Sequence, residues 1–283
     1  MEEDSSPNGY EIKDSRIPIL LALRPISTLR PHEETIPSEM DRIVESLRQD
    51  PVLRHPIIAD RESGLVLDGT HRLAALKGLR CFSAPCALIN YQDPTIKVER
   101  WFRIIADASL HEFNAKLAGT TSHEEKHLRA EQCLLRRDCY ASLEDVRSCL
   151  VFPYEDRAPI ELVRKAFAIE KVARYEGLGI KYSDSKELPS VENRLMLSTV
   201  KLEKGEVVDS CLRGVLFPPK TTRHIIPSRP LGTSTPLEWL RARPSEENEL
   251  RFIENLTTRR VKRLPEGSKV GSRKYQEEVF VFD

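Results

Sequence analysis

The segment LVLDGTHRLAALKGL, residues 65–79, predicts a strand, a tight turn and a helix in succession. Three apolar residues run into Asp68 and Gly69. Both favour turns, because an aspartate side chain can bond nearby backbone N–H groups and glycine tolerates a positive φ. Leucines then follow at helical spacing, and Gly78 is a candidate stop for the helix.

The first turn of this helix carries Thr70, His71 and Arg72. A helix start presents unpaired N–H groups and the positive end of the helix dipole, which suits a phosphate group. Arg72 would add a bidentate charged donor, and His71 a further donor. Taken locally, the pattern is equally typical of a buried strand–turn–helix with a solvated histidine and arginine.

Composition excludes several classes of protein. Of the 283 residues 40% are hydrophobic and 31% charged, which is typical of a globular protein. Lys plus Arg and Asp plus Glu both number 44, so the formal net charge is zero. This balance argues against a broad nucleic-acid-binding surface but allows a local basic pocket. The sequence shows neither a long apolar run nor a signal peptide, so we expect no membrane partner.

The cysteines predict a reducing environment. The six of them, at positions 81, 86, 133, 139, 149 and 211, form no Cys-x-x-Cys pair and show no regular zinc-ligand spacing. We therefore expect free thiols and a cytoplasmic location.

Two adjacent carboxylates, Glu33 and Glu34, lie in a loop bounded by Pro31 and Pro37. Phosphoryl transfer to an alcohol needs a carboxylate that accepts the hydroxyl proton, although glutamates are more often simply solvated. Asp68 is a candidate Mg²⁺ ligand, directly or through water, and is equally suited to a turn-forming role.

Residues 123–127, HEEKH, match the His-Glu-x-x-His pattern of zinc proteases. On a helix, positions i and i+4 share one face. However, Glu125 is placed to complete a capping box with Ser122, and no third ligand follows nearby. We therefore interpret the motif as the start of a charged helix.

Three blocks of the chain resemble one known family. They are residues 29–34 (LRPHEE), residues 68–72 (DGTHR) with the upstream 54–58 (RHPII), and residues 217–224 (FPPKTTRH). The second block is similar to the nucleotide-binding loop of the ParB/sulfiredoxin-like superfamily. Within it, the chain most resembles the free L-serine kinases. The resemblance is strong only at these three blocks, although together they span most of the chain.

The resemblance implies a role for each candidate residue. It makes Glu33 the general base, with Glu34 as the neighbour that a shifted register would select, and adds Asp68 and His71 to the catalytic set. Nucleotide binding falls to Asp68, Gly69, Thr70, His71 and Arg72. Amino-acid binding falls to Trp101, Thr221, Thr222, Arg223 and His224, although an aromatic residue such as Trp101 is as often part of a core.

The implied reaction is phosphorylation of free L-serine to O-phospho-L-serine. The donor is a nucleotide with Mg²⁺, and ADP, giving AMP, is preferred over ATP. The product has an association with cysteine biosynthesis. The competing interpretation is a ParB-like nucleotide-binding regulatory or DNA-associated protein without turnover. Sulfiredoxin chemistry is excluded, because Thr70 stands where those enzymes carry a reactive cysteine.

The expected fold is α/β (α+β), a ParB/sulfiredoxin-like module with a C-terminal α+β extension that closes the substrate cleft. We predict a flexible tail over 1–14, the nucleotide-binding domain over 15–105 and the substrate-binding domain over 106–283. Ser38 and Ser245 are predicted N-caps, and a turn at 204–205 is predicted to join two strands. Strands are predicted over 17–23, 56–60, 64–67, 81–89, 98–104, 194–202, 206–217 and 275–282, and helices over 38–49, 121–137, 159–175 and 245–260.

Overall fold

The structure, a computed structural model, describes residues 9–117, 119–156, 158–186 and 193–283. Its helices are α1 Pro37–Gln49, α2 Thr70–Gly78, α3 Leu110–Lys116, α4 His127–Arg136, α5 Pro159–Tyr175, α6 Lys204–Leu212, α7 Leu237–Arg241 and α8 Glu246–Thr257. Its strands are β1 Tyr10–Ile12, β2 Ile19–Pro25, β3 Val52–Leu53, β4 Ile57–Asp60, β5 Val66–Asp68, β6 Ser83–Ile89, β7 Lys97–Glu99, β8 Phe102–Ala106, β9 His123–Glu125, β10 Cys139–Glu144, β11 Cys149–Pro153, β12 Ile180–Ser183, β13 Arg194–Thr199, β14 Arg223–Ile225, β15 Ser228–Leu231, β16 Thr235–Pro236, β17 Val261–Leu264, β18 Lys269–Val270, β19 Arg273–Lys274 and β20 Glu278–Phe282.

The chain divides into two compact units. Unit 1 contains the described residues up to Lys97 together with Val208–Leu216 and His224–Asp283, and unit 2 contains Val98–Val207 and Phe217–Arg223. The sequence placed this division near residue 105 and assigned everything after it to a second domain. The structure differs because β8 is hydrogen-bonded to β12 and β13, which ties it to the later strands.

Unit 1 is built on a five-stranded sheet in the order β1-β2-β6-β4-β5. All seven residues of the central strand β6 are buried, as its apolar sequence predicts. The hairpin of β4 and β5 is confirmed, with a register shift between Ile58 and Ala59. Since β5 is the edge strand, its outer side is available to side chains from other segments.

A second sheet of unit 1, in the order β15-β20-β17, is formed by the C-terminal part of the chain. Strand β15 runs parallel to β20. Helix α8 precedes β17 and begins after Ser245, whose hydroxyl accepts a hydrogen bond from the Asn248 N–H at 3.3 Å. The predicted N-cap at Ser245 is confirmed.

Unit 2 contains a six-stranded sheet in the order β12-β8-β13-β10-β11-β9. The predicted helix over 159–175 is confirmed as α5, which packs on β10. Glu170 of α5 is fully buried, and Arg103 of β8 donates to it at 3.0 Å. No helix within the described residues has the length and apolar character needed to cross a membrane.

The N-terminal predictions were wrong in two details. Tyr10–Ile12 forms β1 rather than part of a loose tail, because Ile12 is buried and the strand pairs with β2. Residues 1–8 lie outside the described residues. Helix α1 begins at Pro37, so Ser38 lies inside its first turn and does not cap it.

The predicted helix over 121–137 was also wrong in its first part. Residues 123–125 form β9, which pairs with β11, and the helix begins only at His127. The Ser122 hydroxyl donates to Asn114, so the predicted capping box is absent. The two histidines of the HEEKH motif therefore do not share a helix face. Among the described residues, no group of three metal-binding side chains is arranged to hold an ion.

Two predicted strands took other forms. The strand predicted over 98–104 is interrupted between β7 and β8, where the Arg100 side chain turns inward to donate to the Thr199 carbonyl at 2.6 Å. The strand predicted over 206–217 begins as helix α6. Val207 and Cys211 are both buried four residues apart, which is the spacing of a helix face.

Glu170→Gln is expected to destabilise the protein strongly. The substitution keeps the size of the side chain but leaves the Arg103 guanidinium, which is 3% exposed, without its counter-charge. Breaking a buried pair in this way costs roughly 3–5 kcal/mol, measurable by chemical denaturation.

The control for this change is Glu176→Gln, which breaks an exposed pair with Lys116. That substitution should cost less than about 1 kcal/mol. Equal losses in the two variants would contradict the structural role given to Glu170.

Candidate functional site

The turn after β5 requires a glycine. Gly69 has a φ of 104° and stands at the N-cap position of α2. A Cβ atom at this position would lie 2.8 Å from the Arg72 guanidinium, which is folded back over the turn. Glycine is thus favoured by the backbone conformation, and a larger residue would also displace the Arg72 guanidinium from its place over the turn.

Asp68, the last residue of β5, is held between two arginines. Its Oδ2 accepts from Arg72 at 3.1 Å and from Arg229 of β15 at 2.5 Å. Arg229 also donates through Nε to Glu277 at 2.5 Å. Desolvation raises the pKa of the Asp68 carboxyl, but the two guanidinium groups outweigh this effect and hold the pKa well below its usual range. The Asp68 carboxyl therefore stays ionised, and no side-chain hydrogen bond caps the start of α2.

The loop that carries Glu33 is fastened alongside β5. The Val66 N–H donates to the Arg30 carbonyl at 2.9 Å, and the His32 Nδ1–H donates to the Val66 carbonyl at 2.9 Å. Glu33 follows directly, and its Oε1 lies 3.7 Å from His32 Nε2. The Glu33 side chain is 14% exposed, whereas Glu34 is exposed.

His224 is hydrogen-bonded to Leu67 of β5, the residue after Val66. Its Nδ1–H donates to the Leu67 carbonyl at 3.1 Å, and its Nε2 accepts from the Tyr91 hydroxyl at 3.0 Å. Leu67 lies opposite the register shift in β4, so it has no partner residue in that strand. The rings of His224 and His32 meet edge to face at 5.2 Å.

His71 ties the first turn of α2 to the segment before α1. The Ile36 N–H donates to His71 Nε2 at 3.0 Å, so the neutral ring carries its proton on Nδ1. Together with the contacts of His32, His224 and Asp68, this bond places these predicted residues of unit 1 around β5 and the turn that follows it.

The other predicted amino-acid-binding residues lie in unit 2. The Trp101 indole donates to the Thr222 carbonyl at 3.0 Å, and the Arg223 guanidinium lies 5.7 Å from the centre of the Trp101 ring. Arg223 also pairs with Asp184 at 3.0 Å. Trp101 is therefore half-buried beside the loop of residues 217–223 and not part of a fully closed core.

Buried polar contacts shape this loop. Arg103 donates to the carbonyls of Trp101 and Lys220, at 2.7 and 3.1 Å. Thr221 and Thr222 are buried, and the Thr221 hydroxyl donates to the Pro218 carbonyl at 2.7 Å. The Lys220 ammonium lies 5.3 Å from the centre of the Trp101 ring. Two cations thus meet one aromatic side chain, an arrangement suited to an anionic group.

A cavity of about 410 Å³ in unit 1 adjoins the Arg72 side chain. One part is lined by the apolar side chains of Ile43, Leu47 and Leu53, and another by His55 and Arg72. His55 Nδ1 accepts from the Gly232 N–H at 3.1 Å.

Sequence reasoning missed the roles of Arg229, Arg103 and Lys220. Arg229 and Arg103 are single basic residues outside the quoted blocks, and their carboxylate partners Asp68 and Glu170 lie far away in the chain. Lys220 lies within the quoted block of residues 217–224, but nothing in that block indicated its position beside the Trp101 ring. The histidine at position 55 lies in the quoted block of residues 54–58, but nothing in that block indicated a contact with Gly232.

The comparisons with known proteins identify the family. No family model matches the chain. A ParB-like protein of Sulfolobus acidocaldarius is 31% identical over 198 residues, which cover 70% of this chain and 86% of that relative. The chain therefore belongs to the ParB-like family.

Other relatives are named as serine kinases. An ATP-dependent L-serine kinase of Staphylothermus marinus is 26% identical over 76% of this chain and 89% of its own length. An ADP-dependent L-serine kinase of Thermococcus kodakarensis is 24% identical over 76% and 90%. A solved free serine kinase in complex with AMP superposes with a TM-score of 0.67 at 23% identity, covering 78% of this chain and 93% of that one. The resemblance predicted from the three sequence blocks is confirmed.

His55→Asn is expected to reduce the loss of stability in acid. Burial and the nearby Arg72 charge lower the pKa of His55 to about 4, against about 6.5 in an unfolded chain. Between pH 6.5 and pH 4, His55 is therefore protonated in the unfolded state but remains neutral in the native state. The contribution of His55 to stability is thus complete above pH 6.5 and is lost as the pH falls towards 4.

Asparagine can accept the Gly232 N–H but cannot titrate. The melting temperature of the variant should fall less steeply than that of the wild type over this pH range. His111→Asn, at an exposed histidine, should leave the wild-type curve unchanged. Parallel curves for the wild type and His55→Asn would contradict the assignment.

Proposed function

We propose that this protein is a free L-serine kinase. It transfers the terminal phosphoryl group of ADP, in preference to ATP, to the hydroxyl of L-serine and releases O-phospho-L-serine with AMP. The observation that carries the proposal is the attachment of His32, His224 and Arg72 to three consecutive residues of β5, from Val66 to Asp68. The relatives named as L-serine kinases support the same activity.

The nucleotide phosphates are assigned to the turn of residues 68–72. The N–H groups at the start of α2 and the Arg72 guanidinium supply donors and positive charge. The cavity beside Arg72 offers apolar side chains for the nucleoside. These donors suit the terminal phosphates of either ADP or ATP, so the proposed preference for ADP rests on the resemblance to the serine kinases.

Mg²⁺ fits the Asp68 side chain. The carboxyl is ionised, its side chain is 39% exposed, and both arginines bind Oδ2. Oδ1 is therefore the oxygen assigned to the ion, directly or through water, together with phosphate oxygens of the nucleotide. When bound, Mg²⁺ would neutralise charge on those oxygens.

L-Serine binding is assigned to Trp101, Thr221, Thr222, Arg223 and His224. Arg223 is assigned to the serine carboxylate, and Lys220 adds a second positive charge beside the same indole ring. Because the Thr221 hydroxyl already donates to Pro218, its main role in the proposal is to shape the loop. His224 is assigned a place near the reacting hydroxyl or phosphate, where its bonds to Leu67 and Tyr91 fix the ring.

Glu33 is the proposed general base. As the serine oxygen attacks the terminal phosphorus, Glu33 accepts the hydroxyl proton, and the bond from phosphorus to the departing nucleotide breaks. The half-buried position of Glu33 favours it over the exposed Glu34.

The proposed product and location follow from the same chemistry. O-Phospho-L-serine carries a phosphate that a later reaction can displace, the chemistry associated with cysteine biosynthesis. All six cysteines are free thiols, which favours a reducing compartment such as the cytoplasm.

Arg72→Ala is expected to weaken nucleotide binding. Loss of one charge-assisted contact costs about 1.5–3 kcal/mol, a change in Kd of roughly 10- to 150-fold that calorimetric titration would measure. His71→Ala should weaken binding in the same direction. Arg48→Ala, at an exposed arginine of α1, is the matched control and should bind like the wild type. Unchanged affinity in both site variants would remove the loop from the nucleotide site.

Glu33→Gln tests the mechanism. The substitution keeps the shape of the side chain but removes its basic site, so kcat should fall roughly 10²–10⁴-fold while nucleotide affinity barely changes. Glu34→Gln, the matched control, should be mild.

If Glu34→Gln were inactive and Glu33→Gln active, the general base would be Glu34 and not Glu33. Full activity in both variants would refute the mechanism. Nucleotide binding by the wild type without serine-dependent product would favour the ParB-like regulatory protein instead.

A further inference from the structure

His32, the residue before the proposed base, is buried and held in one orientation. Its side chain is 3% exposed, and Nδ1 lies 2.9 Å from the Val66 carbonyl. A carbonyl oxygen only accepts hydrogen bonds, so Nδ1 carries the proton. In the neutral ring Nε2 is then an acceptor, and this atom lies 3.7 Å from Glu33 Oε1.

The imidazole of His32 is neutral in this environment. Burial lowers its pKa, and the opposing effects of Glu33 and of the Val66 carbonyl do not restore it. A neutral acceptor and a carboxylate have no proton to share, which agrees with a separation longer than a hydrogen bond. The contact becomes a hydrogen bond only when Glu33 is protonated.

We propose that His32 is the proton-accepting partner of Glu33, which stabilises the protonated base during phosphoryl transfer. This inference rests on the proposed function. As the bond from serine Oγ to phosphorus forms and the bond from phosphorus to the departing nucleotide breaks, the Oγ proton moves to Glu33. The protonated carboxyl then donates to His32 Nε2, and the proton passes to solvent after the products leave.

The surroundings of His32 favour this role. Among the described residues, Glu33 from the same loop and His224 from β14 are titratable side chains that face its ring. His224 is already bonded through Nδ1 to Leu67 and through Nε2 to Tyr91. His32 is therefore the imidazole whose acceptor nitrogen lies 3.7 Å from the carboxyl of the base, and it acts as a positioning residue through Glu33.

The test is His32→Asn, because an asparagine amide can still donate to the Val66 carbonyl but offers no acceptor at the Nε2 position. We expect kcat for serine-dependent product to fall roughly tenfold, the worth of one hydrogen bond in the transition state, with nucleotide Kd unchanged. His32→Gln, which places an amide oxygen near the Nε2 position, should recover part of the loss. If His32→Asn fails to fold, kcat of His32→Gln is compared with that of the wild type instead.

Two further readouts separate this role from a structural one. In a Glu33→Gln background, His32→Asn should have no further effect on kcat, because His32 acts only through the base. In the His32→Asn variant, the acid limb of the kcat profile should move to lower pH, since protonated Glu33 has lost its acceptor.

Wild-type kcat in His32→Asn would overturn the inference, as would an equal loss in the Glu33→Gln background. A shift of the acid limb to higher pH would show an imidazolium paired with the carboxylate and would also overturn it. A wild-type protein without serine-dependent turnover would instead refute the proposed function itself.

Discussion

The site of unit 1 depends on the outer side of one short edge strand, β5. The Val66 carbonyl binds His32, the Leu67 carbonyl binds His224, and the Asp68 carboxylate binds two arginines. Edge strands expose backbone groups that would otherwise require a neighbouring strand or water. Here imidazole side chains satisfy two of those groups, so the strand that completes the sheet also orients the side chains of the site.

The charge at the end of this strand is balanced by residues far apart in sequence. Asp68 faces Arg72 one helical turn ahead and Arg229 from the C-terminal sheet, and Arg229 in turn pairs with Glu277. Ionised groups with little exposure are stable only when paired and hydrogen-bonded. The C-terminal segment thus contributes a second charge partner for Asp68 as well as paired strands to unit 1.

The elements that the sequence predicted well are those with strong local signals. The strand–turn–helix around residue 68, helix α5 and the N-cap of α8 each follow from apolar periodicity or from a capping residue. Local signals failed where long-range strand pairing determines the structure. At β9, for example, three residues that were expected in a helix form the edge strand of a sheet. Glu33 and Asp68 could be selected as site candidates because they lie in local motifs. Arg229 could not, because only its long-range contact with Asp68 places it at the site.

The most direct test of the account is the stoichiometry of turnover by the wild-type protein. Incubation with L-serine, Mg²⁺ and either ADP or ATP, followed by quantification of nucleotides and O-phospho-L-serine, measures it. The account predicts that AMP and O-phospho-L-serine form from ADP in equal amounts and only when serine is present, with slower turnover of ATP. Nucleotide that binds without any serine-dependent product, or is hydrolysed at the same rate without serine, would contradict it.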